Sequence, residues 1–511
     1  MQRKDYYLIG ILFLIVLLIF YPVCFTDYIY TDEVVQLWNY RPGSNFNMYG
    51  IQGRWIPELI LSRFYSAIDS VHGITYIRIT ALLLWFICIP FWYNIMKRIA
   101  GKEPAYTWLP FFTCLYLVTS LPFAVSVQWA TCMELSIANT AGLLSGAILY
   151  LSIRDQESKW KIPVGAAIGA MALALLSLFS YQSGFGSFLI PFLFHFISAY
   201  TTKKDQVLIK GLVFYFIMYA VFYVLFKLIL AATHLAPDAR TGIHIDVADK
   251  LQFFFSQPLK RAFWFNVIVN DENALARAIY KVLLVGWMVL AFVRFGKKNW
   301  LGAIKYIVVV MALFMISYLP SWVVKENYSS NRTLPALNMC VWIVCAEMVL
   351  YFIKNRKTEG SSMPLRVAGL AIASACIVLG WYNFRKEFLQ PVHEEYVAVK
   401  DFIQQHYNAG IKTVYFIKSP EDAFIKKYHI QSSMDEFGVP STLVDWVPED
   451  FSRQMVFEKT GNRQIADQLT VKYWSDIESF NASGEKLSPD VLLVNAPALI
   501  AEKLNAITLQ F

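Results

Sequence analysis

The segment YTDEVVQLWNYRPG sets two adjacent carboxylates, Asp32 and Glu33, a few residues after the first long apolar run, and IQGRWIPELI places Arg54 shortly beyond them. A carboxylate within reach of a hydroxyl can act as a general base, and a guanidinium can hold a departing phosphate. Together they are the minimum for moving a group from a phosphate ester to an acceptor. The plainer account of the acid pair is a helix start, with Thr31 or Asp32 as cap and the negative charges favoured by the helix dipole.

Other polar residues stand where apolar runs end. Tyr181 and Gln182, in SLFSYQSGFG, have hydrogen-bonding work to do at such a depth, either with ligand hydroxyls or with a neighbouring helix. Arg332, in KENYSSNRTLPALN, offers a planar fork to phosphate oxygens, or is an interfacial arginine that snorkels. Lys325 and Glu326 share its loop and can pair with each other. Glu134, in QWATCMELS, is either a cavity residue or a helix-start carboxylate. His195 and Glu347 fall toward the inner ends of their spans and suit interfacial or interhelical hydrogen bonding, and His72 is a structural histidine or a group at a cavity mouth. Asn327, Asn331 and Asn481 fall in Asn-x-Ser/Thr triplets of the kind that occur by chance. The region beyond residue 385 has nothing that resembles a Gly-rich phosphate loop or a nucleophile elbow, so it is expected to be a binding or scaffolding module rather than a second catalytic centre. The seven cysteines lie in or beside apolar runs with no CxxC, which indicates neither a disulfide framework nor a zinc site.

These residues need elements to position them. Of 511 residues, 57% are hydrophobic and 16% charged, against roughly 25% charged in a soluble globular chain. The apolar runs predict eleven membrane spans, at 6–26, 74–96, 105–121, 136–153, 162–180, 185–200, 207–232, 276–295, 301–320, 334–353 and 364–383. The N-terminal run reads as a retained first span rather than a cleaved signal. The expected architecture is an α-helical polytopic membrane domain over residues 1–385, followed by an α/β domain over 386–511 with strands at KTVYFI and VLLVNA.

Charge placement then orients the chain. Arg3, Lys4, Lys97, Arg98, Lys102, Arg154, Lys159, Lys161, Lys203, Lys204, Arg294, Lys297, Lys298, Lys354, Arg356, Lys357 and Arg366 fall on one side. Asp27, Asp32, Glu33, Glu58, Asp238, Asp246, Asp271 and Glu326 fall on the other. The expectation is a cytoplasmic N-terminus and an extracytoplasmic C-terminal domain. Two outer loops, 27–73 and 233–275, carry mixed patterning suited to amphipathic helices that roof a cavity. The net charge of +8 is distributed between apolar runs rather than along one stripe, which points away from nucleic acid.

Outside the cytoplasm there is no nucleotide pool, so a transfer reaction there needs a donor carried in the membrane. The first span, the acidic pair Asp32–Glu33, the step Gly53–Arg54–Trp55 and the later Tyr181–Gln182 together resemble bacterial O-antigen glucosyltransferases of the Gtr type, in the GT-C superfamily. The resemblance is spread over residues 1–385. It implies a polyprenyl-phosphate-linked sugar donor, a glycan or lipid acceptor in the cell envelope, a place in the bacterial inner membrane and an inverting displacement. Carried over, it makes Asp32 the base and Glu33 a helper that orients the acceptor or binds a divalent cation such as Mg or Mn. Arg54, Tyr181, Gln182 and Arg332 would bind substrate. The family's first loop often has two aspartates, whereas here Glu33 follows Asp32. Rival readings are a transporter or flippase for lipid-linked glycans, for which internal repeats and midplane charges are absent from the sequence, an oligosaccharide ligase or polymerase, and a sensor.

Overall fold

The computed structural model describes residues 2–101, 103–154, 162–198, 205–243, 246–269, 273–295, 299–355 and 363–507. Of the charges used for orientation, Lys102, Lys159, Lys161, Lys203, Lys204, Asp271, Lys297, Lys298, Arg356 and Lys357 lie outside the described residues.

All eleven apolar segments are helical over most of their length. Among the described residues, seven helices are long and apolar enough to cross a membrane: Arg3–Cys24, Val71–Ala100, Ala130–Ile153, Asp205–Thr233, Ala274–Phe295, Trp300–Ser317 and Arg366–His406. Large apolar side chains such as Leu14, Leu18, Val282, Val285, Leu370 and Val378 project outward from them. So much exposed hydrocarbon on helices that satisfy their own backbone is the mark of lipid as solvent, and the chain is a membrane-embedded helical protein.

The other expected spans are shorter or broken, for local reasons. The run expected at 105–121 turns by 50° between Pro104–Thr119 and Leu121–Gln128. Ser120 caps the second piece by accepting from the Phe123 N–H, and Pro122 sits in its first turn. The run at 185–200 begins as a 3₁₀ stretch, Gln182–Leu189, before the helix Ile190–Ser198. That stretch presses against the helix Glu134–Ile153 along small residues four apart. A Cβ on Gly142 would lie 2.8 Å from the Gly184 carbonyl oxygen, and one on Gly146 would lie 2.2 Å from that of Phe188. Small residues at this spacing let backbones approach, and the approach places Tyr181 and Gln182 at the helix end.

Helix α1 (Arg3–Phe20) leads into the first long loop, which folds into α2 (Asp32–Asn39) and α3 (Trp55–Ser66) before α4 (Val71–Ala100). The second long loop contains the helices Val247–Ser256 and Pro258–Ala262. The two loops are joined where Gln52 Nε2 donates to Asp238 Oδ2 at 3.0 Å and the Asp238 N–H donates to the Ile51 carbonyl at 3.1 Å.

The C-terminal region holds a three-stranded parallel sheet in the order β2-β1-β3, with β1 Thr413–Ile417, β2 Thr470–Trp474 and β3 Val491–Asn495. Thr413 pairs with Thr470 on one side and Val491 on the other. The central strand β1 is almost wholly buried, whereas β2 is a largely exposed edge. Exposure explains why TVKYW lacks the apolar run that marked the other two strands. No linker separates this region from the membrane helices. The helix Met363–Phe384 passes through a π-helical turn, Arg385–Leu389, directly into Gln390–His406.

Candidate functional site

The two long loops, the ends of several apolar helices and a segment of the C-terminal region enclose a cavity of about 640 Å³. Five of the six residues singled out from sequence line it: Asp32, Arg54, Tyr181, Gln182 and Arg332. The sixth, Glu33, does not.

Asp32 opens α2, half-buried, and its Oδ1 accepts a hydrogen bond from Trp446 Nε1 at 2.9 Å. Burial pushes its pKa above the ordinary carboxylate value. The positive charge of Arg332, the Trp446 hydrogen bond and the positive charge of Arg240 pull it down, while Asp435 adds to the rise. A carboxylate so raised is a better proton acceptor than an ordinary surface aspartate. The residue before it is strained: Thr31 has φ 39° and ψ −111°, a conformation that costs a β-branched residue about 1–3 kcal/mol. The Thr31 N–H donates to Ser441 Oγ at 2.7 Å, and its own hydroxyl caps nothing. Thr31 thus stands at the N-cap position of α2, as one of the two expected residues, but its side chain does not cap the helix.

Glu33 points the opposite way along α2, with no exposure. Its carboxylate pairs with the equally buried Arg78 of α4 (Nη2–Oε2, 2.5 Å) and accepts the backbone N–H of Tyr30 at 2.8 Å and of Ala130 at 2.7 Å. Every lone pair has a partner inside the protein. Glu33 is thus a structural ion-pair residue, and the expected roles as acceptor guide or cation ligand are corrected. Consecutive residues on a helix point about 100° apart, and with Glu33 drawn inward by Arg78 only Asp32 of the two acids reaches the cavity. Among the described residues, no group of three or more His, Cys, Asp or Glu side chains is arranged to hold a metal ion.

Arg54 follows Gly53, whose φ of 78° turns the chain into α3. Its guanidinium lies 4.2 Å from the centre of the Tyr181 ring, and its buried Nε has no partner. Among the described residues its side chain makes no hydrogen bond and no ion pair. Gln182 donates from Nε2 to the Gln52 carbonyl at 2.9 Å, and Tyr219 donates to the Gln182 carbonyl at 3.0 Å. Tyr181 and Gln182 accordingly support the loop that carries Arg54, one through its ring and the other through its amide. Arg240, on the second loop, also lines the cavity, exposed and with no side-chain partner among the described residues.

Arg332 is differently placed. Nη2 donates to Asp435 Oδ2 at 2.8 Å and to the Tyr328 hydroxyl, and Nε donates to Glu436 Oε1 at 3.1 Å. Its guanidinium stacks 4.3 Å from the Trp129 ring centre. Two acids neutralise it, so it joins the C-terminal region to the loop before Pro335 instead of offering an open fork.

The lesser candidates divide in the same way. Glu134 lines the cavity, buried, with Oε2 unpartnered. Glu326 lines it too, and forms no ion pair with Lys325. His72 pairs with Asp27 at 2.9 Å, away from the cavity. His195 meets the Tyr150 hydroxyl at 3.1 Å, and Glu347 pairs with Arg294 at 2.6 Å, both between helices, the interhelical of the two expected roles. Asn327 bonds to Lys250 and Asp249, the Asn331 N–H donates to Glu436, and Asn481 lies in the helix Ile477–Ala482.

Sequence reasoning missed Asp435, Trp446 and Arg240. SSMDEFGVPSTLVDW carries loop signals in Gly438 and Pro440, but nothing in it announces contact with residue 32. No protein-family model matches the chain, and no curated protein matches it in sequence.

Proposed function

We propose that the chain is a glycosyltransferase of the GT-C kind, taking a sugar from a polyprenyl-phosphate donor to a cell-envelope glycan or lipid at the outer face of the bacterial inner membrane. The single observation that carries the reading is one cavity lined by a carboxylate with a raised pKa, Asp32, and a guanidinium that makes no ion pair or hydrogen bond among the described residues, Arg54. A lipid-linked donor needs such a chamber at a membrane surface, and the phosphate needs an uncommitted cation.

In this reading Asp32 takes the proton of an acceptor hydroxyl. The hydroxyl oxygen forms a bond to the anomeric carbon as the bond from that carbon to the phosphate oxygen breaks, with inversion. Arg54, backed by the Tyr181 ring, holds the charge that grows on the departing polyprenyl phosphate, and Arg240 adds to the field from the second loop. Glu134, with a free buried oxygen, accepts hydrogen bonds from sugar hydroxyls. Eleven spans with a cytoplasmic N-terminus would put this chamber and the C-terminal sheet outside, in keeping with the basic residues at the opposite helix ends.

The test is mass spectrometry of envelope glycans and lipid-linked sugars from cells with the wild-type chain, with Asp32→Asn, and with the gene deleted. The expected result is loss of one sugar from a glycan and build-up of its polyprenyl-phosphate precursor in both altered strains. Identical profiles in all three would overturn the proposal.

A further inference from the structure

The base proposed above is held on one side by residues more than four hundred positions downstream. The Thr31 N–H, in a strained backbone, donates to Ser441 Oγ at 2.7 Å, and Asp32 Oδ1 receives the Trp446 N–H at 2.9 Å. The loop bearing these donors is itself anchored. The Ser441 N–H donates to Glu395 Oε2 at 2.7 Å and Thr442 Oγ1 to Glu395 Oε1 at 2.6 Å, on the helix that continues the last membrane helix. A rigid path therefore runs from a membrane helix through Glu395 and Ser441 to the backbone that aims Asp32.

We infer that Ser441 and Trp446 are positioning residues for Asp32, so that the C-terminal region completes the site rather than acting as an accessory module. The inference deepens the proposed function and rests on Asp32 being its base. Trp446 is 48% exposed, so it contributes little to the core there, and its N–H is spent on one carboxylate oxygen. An indole N–H can only donate, which fixes Asp32 as the acceptor and favours its ionised form. The charged or titratable groups that act most strongly on or with Asp32 among the described residues include Arg332 from the turn before Pro335, Asp435 from the C-terminal loop, Arg240 from the second long loop and Tyr65 from α3.

The experiment uses the full-length chain in lipid nanodiscs as wild type, Trp446→Phe, Trp446→Gln, Ser441→Ala and Asp32→Asn. The first readout is intrinsic tryptophan emission from pH 3.5 to 8. An indole bonded to a titrating carboxylate should give a wild-type step that is absent from both Asp32→Asn and Trp446→Phe and shifted in Ser441→Ala. The second is the pH dependence of sugar transfer, with polyprenyl-phosphate sugars extracted from the deletion strain as donor. Trp446→Phe should lower kcat about tenfold with donor KM unchanged and move the acid limb up by about one pH unit, and Trp446→Gln, which keeps an N–H donor, should recover part of both. An emission step in Trp446→Phe equal to wild type, or an unchanged acid limb in Trp446→Phe, would overturn the inference. If the emission coupling holds while Asp32→Asn transfers sugar normally, the contact is real but Asp32 is not the base: the transferase activity then stands, and the assignment of the base falls together with the positioning role inferred here.

Discussion

The dipeptide Asp-Glu occurs at the cavity twice, as Asp32–Glu33 on the first loop and as Asp435–Glu436 in the C-terminal region, and the two copies are used in parallel ways up to one difference. In each, the glutamate is fully buried, pairs with an arginine (Arg78 or Arg332) and accepts two backbone N–H groups. In each, the aspartate lines the cavity. Asp435 is tied to Arg332 at 2.8 Å and to the Tyr328 hydroxyl at 2.5 Å, whereas among the described residues the Asp32 carboxylate receives only an indole N–H. An acid held by a cation is a counter-ion, and one held by a neutral donor stays available to a proton. Residue type and neighbour are the same in both places, so the partner decides the role.

The largest expected effect separates the aspartates. Asp32→Asn should lower the transfer rate about 10³-fold at matched protein level, within the usual range for loss of a general base. Asp435→Asn should cost less than about tenfold in rate and instead loosen the C-terminal region, raising amide exchange across residues 430–446. Equal kinetic losses in the two variants would remove the distinction.

The glutamates should behave alike. Glu33→Gln strands Arg78, and Glu436→Gln removes one of the two charges on Arg332. The first should destabilise by about 3 kcal/mol, the usual cost of an uncompensated buried charge, and the second by less because Asp435 remains. Melting in detergent and folded yield measure both. A Glu33→Gln chain with wild-type melting and no transfer would return Glu33 to the chemistry.

The two arginines should part in kinetics. Arg54→Gln is expected to raise KM for the lipid-phosphate donor about tenfold to a hundredfold while leaving the fold intact, because its side chain makes no hydrogen bond or ion pair among the described residues. Arg332→Gln should lower melting first. Titrating each variant with the accumulated donor distinguishes them.

The smallest effects are in pH. Because Asp32 must be ionised to accept a proton and its pKa lies above 3.8, transfer should fall on an acid limb displaced upward from that value, and the limb should vanish from the residual activity of Asp32→Asn. Asp450, buried against α2 where Asn39 Nδ2 donates to it at 3.0 Å, is raised to about 6 by burial. The folded protein then holds a proton that the unfolded chain releases near 3.8. That stabilising contribution is complete below 3.8 and disappears as pH rises through about 6. Wild-type melting should therefore fall across this window by more than that of Asp450→Asn.

What could be read from the chain alone was whatever depends on local pattern. Apolar runs located every long helix, because lipid demands unbroken hydrocarbon and internal backbone pairing. Residue types at the ends of those runs, together with the family resemblance, singled out Asp32, Arg54, Tyr181, Gln182 and Arg332, and all five line one cavity. Strands β1 and β3 were legible as buried apolar runs, while the exposed edge β2 was not.

The tertiary structure alone decided which of two neighbouring acids is free. Asp32 and Glu33 are alike in charge and adjacent in sequence, and only the helical turn between them and the arrival of Arg78 from α4 set one inside the protein and the other in the cavity. It likewise decided that Arg332 is spent and Arg54 is not, since the acids that neutralise Arg332 come from a segment about a hundred residues away. Electrostatic state depends on through-space partners and burial, and neither is a property of sequence spacing.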